Sequence, residues 1–138
     1  MAEDNTGRLW LGGYGDVIIF DVSSKQFKKS GWFDFVKKSG ISMQEKRNNA
    51  VLEVMRKSEY ELYILSVYGL FSVDTRTGQY THHANPAIND YWAFYLSNID
   101  ADGRLWMGTY DQCFYIYNPA TNIWVQGNCR ELSTPKIT

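Results

Sequence analysis

Gly7-Arg8-Leu9-Trp10-Leu11-Gly12 returns 96 positions later as Gly103-Arg104-Leu105-Trp106-Met107-Gly108, and a chain that repeats at this scale builds like units that pack on one another. An acidic turn precedes each copy, Glu3-Asp4-Asn5-Thr6 and Asp100-Ala101-Asp102. An apolar strand follows each, Val17-Ile18-Ile19-Phe20-Asp21 and Cys113-Phe114-Tyr115-Ile116-Tyr117-Asn118. A degenerate third copy running from Glu61 through Leu62, Tyr68 and Gly69 to Asp74 lies between them. Leu9, Leu62 and Leu105 are then equivalent, at spacings of 53 and 43 residues. Periods of about 40 to 50 residues made of short strands mark β-propeller blades, each a sheet of four antiparallel strands. The expectation is an all-β partial propeller of about three blades.

Each unit reads as an inner strand, a Gly/Asp turn, the motif strand, a tight turn, an apolar strand and an outer strand. In the last unit the strands fall at 92–99, 104–109, 113–118 and 122–126, with Asp102-Gly103, Tyr110-Asp111 and Asn118-Pro119 as turn signals. Blade 1 is expected over about 3–36, blade 2 over about 48–82 and blade 3 over about 92–127, with a C-terminal tail at 128–138. The strand that should precede Glu3-Asp4 is missing. Residues 42–57 admit two readings. Ser42-x-x-Glu45 resembles a capping box, and Met43, Arg47, Ala50, Val51, Val54 and Met55 fall near helical spacing. The repeat register instead makes 50–56 an inner strand and confines any helix to the insertion between Trp32 and Arg47. The register decides for the strand.

Net charge is -1, yet residues 25–57 hold nine Lys/Arg against three Asp/Glu, leaving five against twelve elsewhere. Aromatic interleaving there is limited to Trp32, Phe33 and Phe35, so the stretch reads as a solvated insertion and no nucleic-acid binding is expected. No apolar run approaches the ~18 residues a span requires, and no export signal opens the segment, so it is not expected to enter a membrane. Cys113 stands where Val17 and Leu70 stand, as a small apolar residue; a Cys113–Cys129 disulfide stays open. His82 and His83 are neighbours in an extended segment and point to opposite sides, with no third ligand at metal spacing. No metal or cofactor is expected. Nucleophile-elbow, phosphate-loop and zinc-protease motifs are absent, which argues against an enzyme.

In a propeller, loops joining second to third strands share one face with the loops joining successive blades. That face would present Tyr14, Gly15 and Asp16, then Tyr68, then Tyr110, Asp111 and Gln112. The connection between blades adds His82, His83, Asn89, Asp90 and Trp92. Aromatic rings stack on the C–H faces of sugars while Asp, Asn and Gln take hydroxyls, so an oligosaccharide or other small-molecule ligand fits this set.

The same residues carry a family resemblance. They resemble the two-component regulator propeller repeat, whose pattern is an Asp-x-x-Gly turn, Leu-Trp-x-Gly-Thr, a short turn and a Gly-Leu-x-x-Tyr-Asp strand; 100–118 matches it well, 3–21 nearly as well and 62–74 in outline. The resemblance implies a periplasmic sensor region of a hybrid two-component system histidine kinase/response regulator, in which propellers detect glycan-derived oligosaccharides and signal to a kinase elsewhere in the chain. It also implies that Trp10 and Trp106 pack between blades. Two rival readings remain. One is the blade set of a glycan-active enzyme with Asp16, Asp90 and Asp111 as acid/base groups; the other is a protein-interaction scaffold. Propellers close with typically four to eight blades, so about three leave an apolar face at each end. The remaining blades of a parent protein, or self-association, are expected to cover them.

Overall fold

The computed structural model describes residues 1–41, 49–85, 88, 94–109 and 113–128. Among them the repeat is realised as three four-stranded antiparallel sheets and one short helix, an all-β partial propeller of about three blades. Blade 1 consists of β1 (Ala2–Glu3), β2 (Arg8–Gly12), β3 (Val17–Asp21) and β4 (Gln26–Lys29). Helix α1 (Trp32–Lys38) follows. Blade 2 consists of β5 (Val51–Ser58), β6 (Glu61–Ser66), β7 (Gly69–Asp74) and β8 (Gln79–His83). Blade 3 consists of β9 (Phe94–Ile99), β10 (Leu105–Thr109), β11 (Cys113–Asn118) and β12 (Ile123–Asn128). Leu9 pairs with Phe20, Leu62 with Val73 and Leu105 with Tyr117, so the three equivalent leucines hold equivalent register positions.

Two expectations are corrected. The first sheet does have an inner strand, since Ala2 pairs with Trp10 and Glu3 with Leu9. Two residues suffice because the Asp4 carboxylate holds the turn that follows. Trp106, expected between blades, is 39% exposed. Its face of blade 3 lies open, whereas the face carrying Trp10 is covered. Residues 51–58 are a strand paired with β6, as the register requires. The helical reading of Ser42, Met43, Glu45 and Arg47 falls outside the described residues.

The chain divides into two compact units, 1–92 and 93–138. In the first, Trp10, Val17 and Ile19 of blade 1 join Val54, Leu62, Ile64, Phe71 and Val73 of blade 2 in one core. Gly12 permits the close approach: a Cβ there would lie 2.5 Å from Val51 Cγ1. Helix α1 closes this core. Gly31 enters it at φ 84°, Asp34 lies in its first turn and Lys37 and Lys38 in its last, which suits the helix dipole. Trp32 and Val36 are spaced to share one face, and both are buried. Burying each is worth about 1.5–3 kcal/mol. Trp32 and Phe35 meet Phe71 edge-on, at 5.8 and 6.1 Å between ring centroids, and Phe35 stacks on Tyr80. Strand β7 lacks polar alternation, and Gly69 to Val73 are buried on both faces.

In the second unit, Leu105, Met107, Tyr117 and Phe94 are buried, while Ile123 and Val125 are 56% and 52% exposed. Among the described residues no helix is long and apolar enough to cross a membrane.

One acidic turn is built twice. Asp4 accepts from the Thr6 N–H and hydroxyl, the Arg8 N–H and Nε, and Trp10 Nε1 at 2.9 Å. Asp100 accepts from the Asp102 and Arg104 N–H groups, Arg104 Nε at 2.7 Å and Trp106 Nε1 at 2.7 Å. For Asp4, burial opposes the charge, but the bonds from Thr6, Trp10 and Arg8 outweigh it and hold the carboxyl at about 2. For Asp100 the Trp106 bond leads, again bringing the carboxyl to about 2.

Candidate functional site

The end of the first unit that carries the β2–β3 and β6–β7 turns is organised around Asn49. Tyr14 forms a β-bridge with Ala50, the Gly15 N–H donates to the Asn49 carbonyl, and the Val51 N–H donates to the Gly13 carbonyl. This ties the β2–β3 turn to the entrance of β5. Gly15 turns at φ 98°, a conformation that favours glycine. The turn between β6 and β7 joins the same knot, through the Val67 N–H on the Ala50 carbonyl and the Tyr68 hydroxyl on Asn49 Oδ1. Asn49 itself has φ 57°, tolerated because Asn is one of the few residues that enter the left-handed region readily.

The candidate residues therefore fall into different roles. Tyr14 is 73% exposed, its ring turned to solvent. Asp16 is partly committed: its Oδ1 accepts from the Val17 N–H at 2.7 Å and from the Phe33 N–H at 3.4 Å, fastening the turn to the start of α1. Tyr68 is only 4% exposed, so its ring belongs to the core and its hydroxyl supports Asn49. His82 and His83 do diverge. His82 stacks on Phe71 at 4.7 Å, and burial lowers its basicity. His83 Nε2 lies 2.8 Å from Ser72 Oγ, with its ring against the edge of Tyr63. Burial first, and the Lys57 charge second, push it down to about 4. Asn89, Asp90, Trp92, Tyr110, Asp111 and Gln112 lie outside the described residues, as does the proposed Cys113–Cys129 pairing.

Three of the named positions, Tyr14, Asp16 and Tyr68, thus converge on one end of blades 1 and 2. Asn49 was not anticipated. Its sequence signal was an Asn immediately ahead of an apolar strand, a place where left-handed backbone is common. A cavity of about 160 Å³ opens at the other end of blade 1, lined by Arg8, Ile19, Asp21, Ser24, Gln26, Phe27 and Lys28, and none of the candidate residues reaches it. Among the described residues, no three His, Cys, Asp or Glu side chains gather as a metal site.

No family model matches the chain, and no curated protein does. Solved structures do match. The extracellular domain of BT3049 from B. thetaiotaomicron, described as a hybrid two-component system, is 17% identical at a TM-score of 0.61, covering 92% of this chain and 16% of its own. That of BT4673 from the same organism, described likewise, is 15% identical at a TM-score of 0.68, covering 97% and 16%. A further BT4673 structure, described as a one-component system, is 17% identical at 0.59, covering 88% and 16%. The chain spans about a sixth of the length of these domains, with 16% covered in each. At such identities the likeness is one of architecture: the chain has the fold of a portion of the extracellular domains of hybrid two-component systems.

Proposed function

We propose that the chain is part of a periplasmic ligand-sensing propeller of a hybrid two-component signalling protein, without catalysis of its own, and that the kinase it informs lies elsewhere in a longer protein. The fold likeness, at a TM-score of 0.68 over 97% of the chain, carries this reading. The ligand class is a glycan-derived oligosaccharide. Tyr14 supports it as an exposed ring in a turn tied by backbone bonds to residues 49–51, with Asp16 in the same turn and Asn49 at its anchor. A rigid aromatic with neighbouring polar groups can stack on a sugar face and read its hydroxyls. Such a site binds without turnover.

Titration calorimetry against a panel of oligosaccharides tests this directly. The expected outcome is saturable binding of one glycan class with the sugar recovered intact, and a loss of about threefold to tenfold in affinity for Tyr14→Ala. Shorter sugars appearing in the cell, or no binding by any member of the panel, would overturn the proposal.

A further inference from the structure

Away from Tyr14, the cavity near the β3–β4 turn of blade 1 collects polar groups that the fold leaves unused. Arg8, Asp21 and Gln26 are cross-strand partners, and so are Trp10, Ile19 and Lys28, which puts all six side chains on one face of the sheet. Trp10 and Ile19 are buried there in the core shared with blade 2, so the cavity opens along a face that is already packed within the first unit. Three charged groups border it, and none pairs with another. Arg8 commits Nε to Asp4 at 3.0 Å, leaving both Nη groups without a partner among the described residues. Asp21 accepts the Ser23 and Ser24 N–H groups on Oδ1, leaving Oδ2 open. Lys28 and Gln26 have no side-chain partner among the described residues. Since Asp4 balances Arg8, the cavity is left with one positive charge, on Lys28, and one negative, on Asp21.

From this we infer that the cavity is a binding site for a free α-amino acid, separate from the Tyr14 site. The ligand carboxylate takes Lys28 and the Nη donors of Arg8, whose planar fork suits a carboxylate. The ligand ammonium takes Asp21 Oδ2, and a small apolar side chain lies against Ile19. A zwitterion has the same zero net charge and the same separation of signs as the cavity. A neutral sugar would leave Lys28 and Asp21 unanswered, and a sugar acid would answer only the cations while setting a second anion beside Asp21. The volume, about 160 Å³, also favours a small ligand, since sites for drug-sized molecules begin at about 300 Å³.

Isothermal titration of the full chain with L-valine, L-valinamide and 3-methylbutanoate tests the assignment, since the last two lack the carboxylate and the ammonium in turn. Valine is expected to bind saturably, and each analogue about tenfold or more weakly, the worth of one charge-assisted hydrogen bond. Lys28→Gln removes the positive charge at an exposed side chain, and Asp21→Asn removes the negative one while keeping the Oδ1 acceptor of the turn. The first should bring valine down to the affinity of valinamide, and the second to that of 3-methylbutanoate. Melting curves control for folding, and the three compounds on the unaltered chain decide the matter if a variant does not fold. No saturation by valine up to its solubility, an analogue that binds as tightly as valine, folded variants with unchanged valine affinity, or glucuronate binding more tightly than valine would each sink the inference.

Discussion

Blades 1 and 3 carry the same acidic turn and nearly the same hexapeptide, and they use them in different surroundings. In blade 1 the Asp4 side chain is fully buried and Trp10 is 3% exposed; in blade 3 the Asp100 side chain is 24% exposed and Trp106 39%. The hydrogen bonds are nearly superimposable, Trp10 Nε1 to Asp4 at 2.9 Å and Trp106 Nε1 to Asp100 at 2.7 Å. The turn geometry is thus local, built by a carboxylate that gathers the donors of the next six residues. What the tryptophan contributes to stability is not local, because that depends on what covers its other side.

Substituting the two tryptophans is the largest way to break this comparison. Trp10→Ala should destabilise by roughly 3–5 kcal/mol, and Trp106→Ala by about 1–2 kcal/mol because its cavity opens to water. Urea denaturation measures both; equal losses would mean that the two faces are equally covered. The carboxylates come next. Asp4→Ala strands the buried indole N–H and should cost about 2–3 kcal/mol, with Asp100→Ala costing less since water replaces its bonds. Glycines extend the contrast. Gly12→Ala drives a Cβ to 2.5 Å from Val51 inside the core and should cost about 1–3 kcal/mol. Gly127→Ala meets the Phe114 ring, which lies on the open face of blade 3 and can swing aside, so its thermal midpoint should move little.

Blade 2 extends the comparison to pH. It places Tyr63 where the others have Trp, fully buried beside Ser72 and His83. His82, Lys57 and Glu61 are the charged or titratable groups acting on His83. Its basicity falls from the ordinary 6.5 to about 4 on folding, so between these values the unfolded chain binds more protons. Stability is complete above the unfolded value and is lost as pH falls towards the folded one. Melting temperature should therefore drop on acidification from about pH 7 to about pH 5. His83→Gln, which keeps a partner for Ser72, should flatten that dependence.

Much of the architecture was legible because the blade is a local pattern. Leu9, Leu62 and Leu105 fixed the register, and turn residues such as Asp102-Gly103 fixed the strand ends. Period-2 alternation needs several residues to show, which is why the two-residue strand Ala2–Glu3 escaped notice. The exposure of Trp106 was invisible for a different reason: a hexapeptide that is nearly identical in two places says nothing about its distant neighbours. Tyr68 reads as a turn residue, and so it is in backbone. Its ring is nonetheless drawn inward, and its hydroxyl finds Asn49 across 19 positions of sequence. Of the candidate site, only the placement of Tyr14 and Asp16 in the β2–β3 turn could be read directly; their partners Ala50, Asn49 and Phe33 lie 17 or more positions away in sequence, where no local pattern points to them.

The helix inserted between blades 1 and 2 has a consequence for how the chain comes apart. Repeat arrays tend to unravel unit by unit, each interface opening independently of the next. Here Trp32 and Val36 are buried in the core that the two sheets share, Ser30 and Phe33 bond back to Val17 and Asp16, and Tyr80 donates to the Ser30 carbonyl at 2.8 Å. A connection that normally only links two blades has become a wedge that neither can release alone. In amide exchange the backbones of β2, β3, β6 and β7 should open together as a single cooperative unit, with one shared opening free energy.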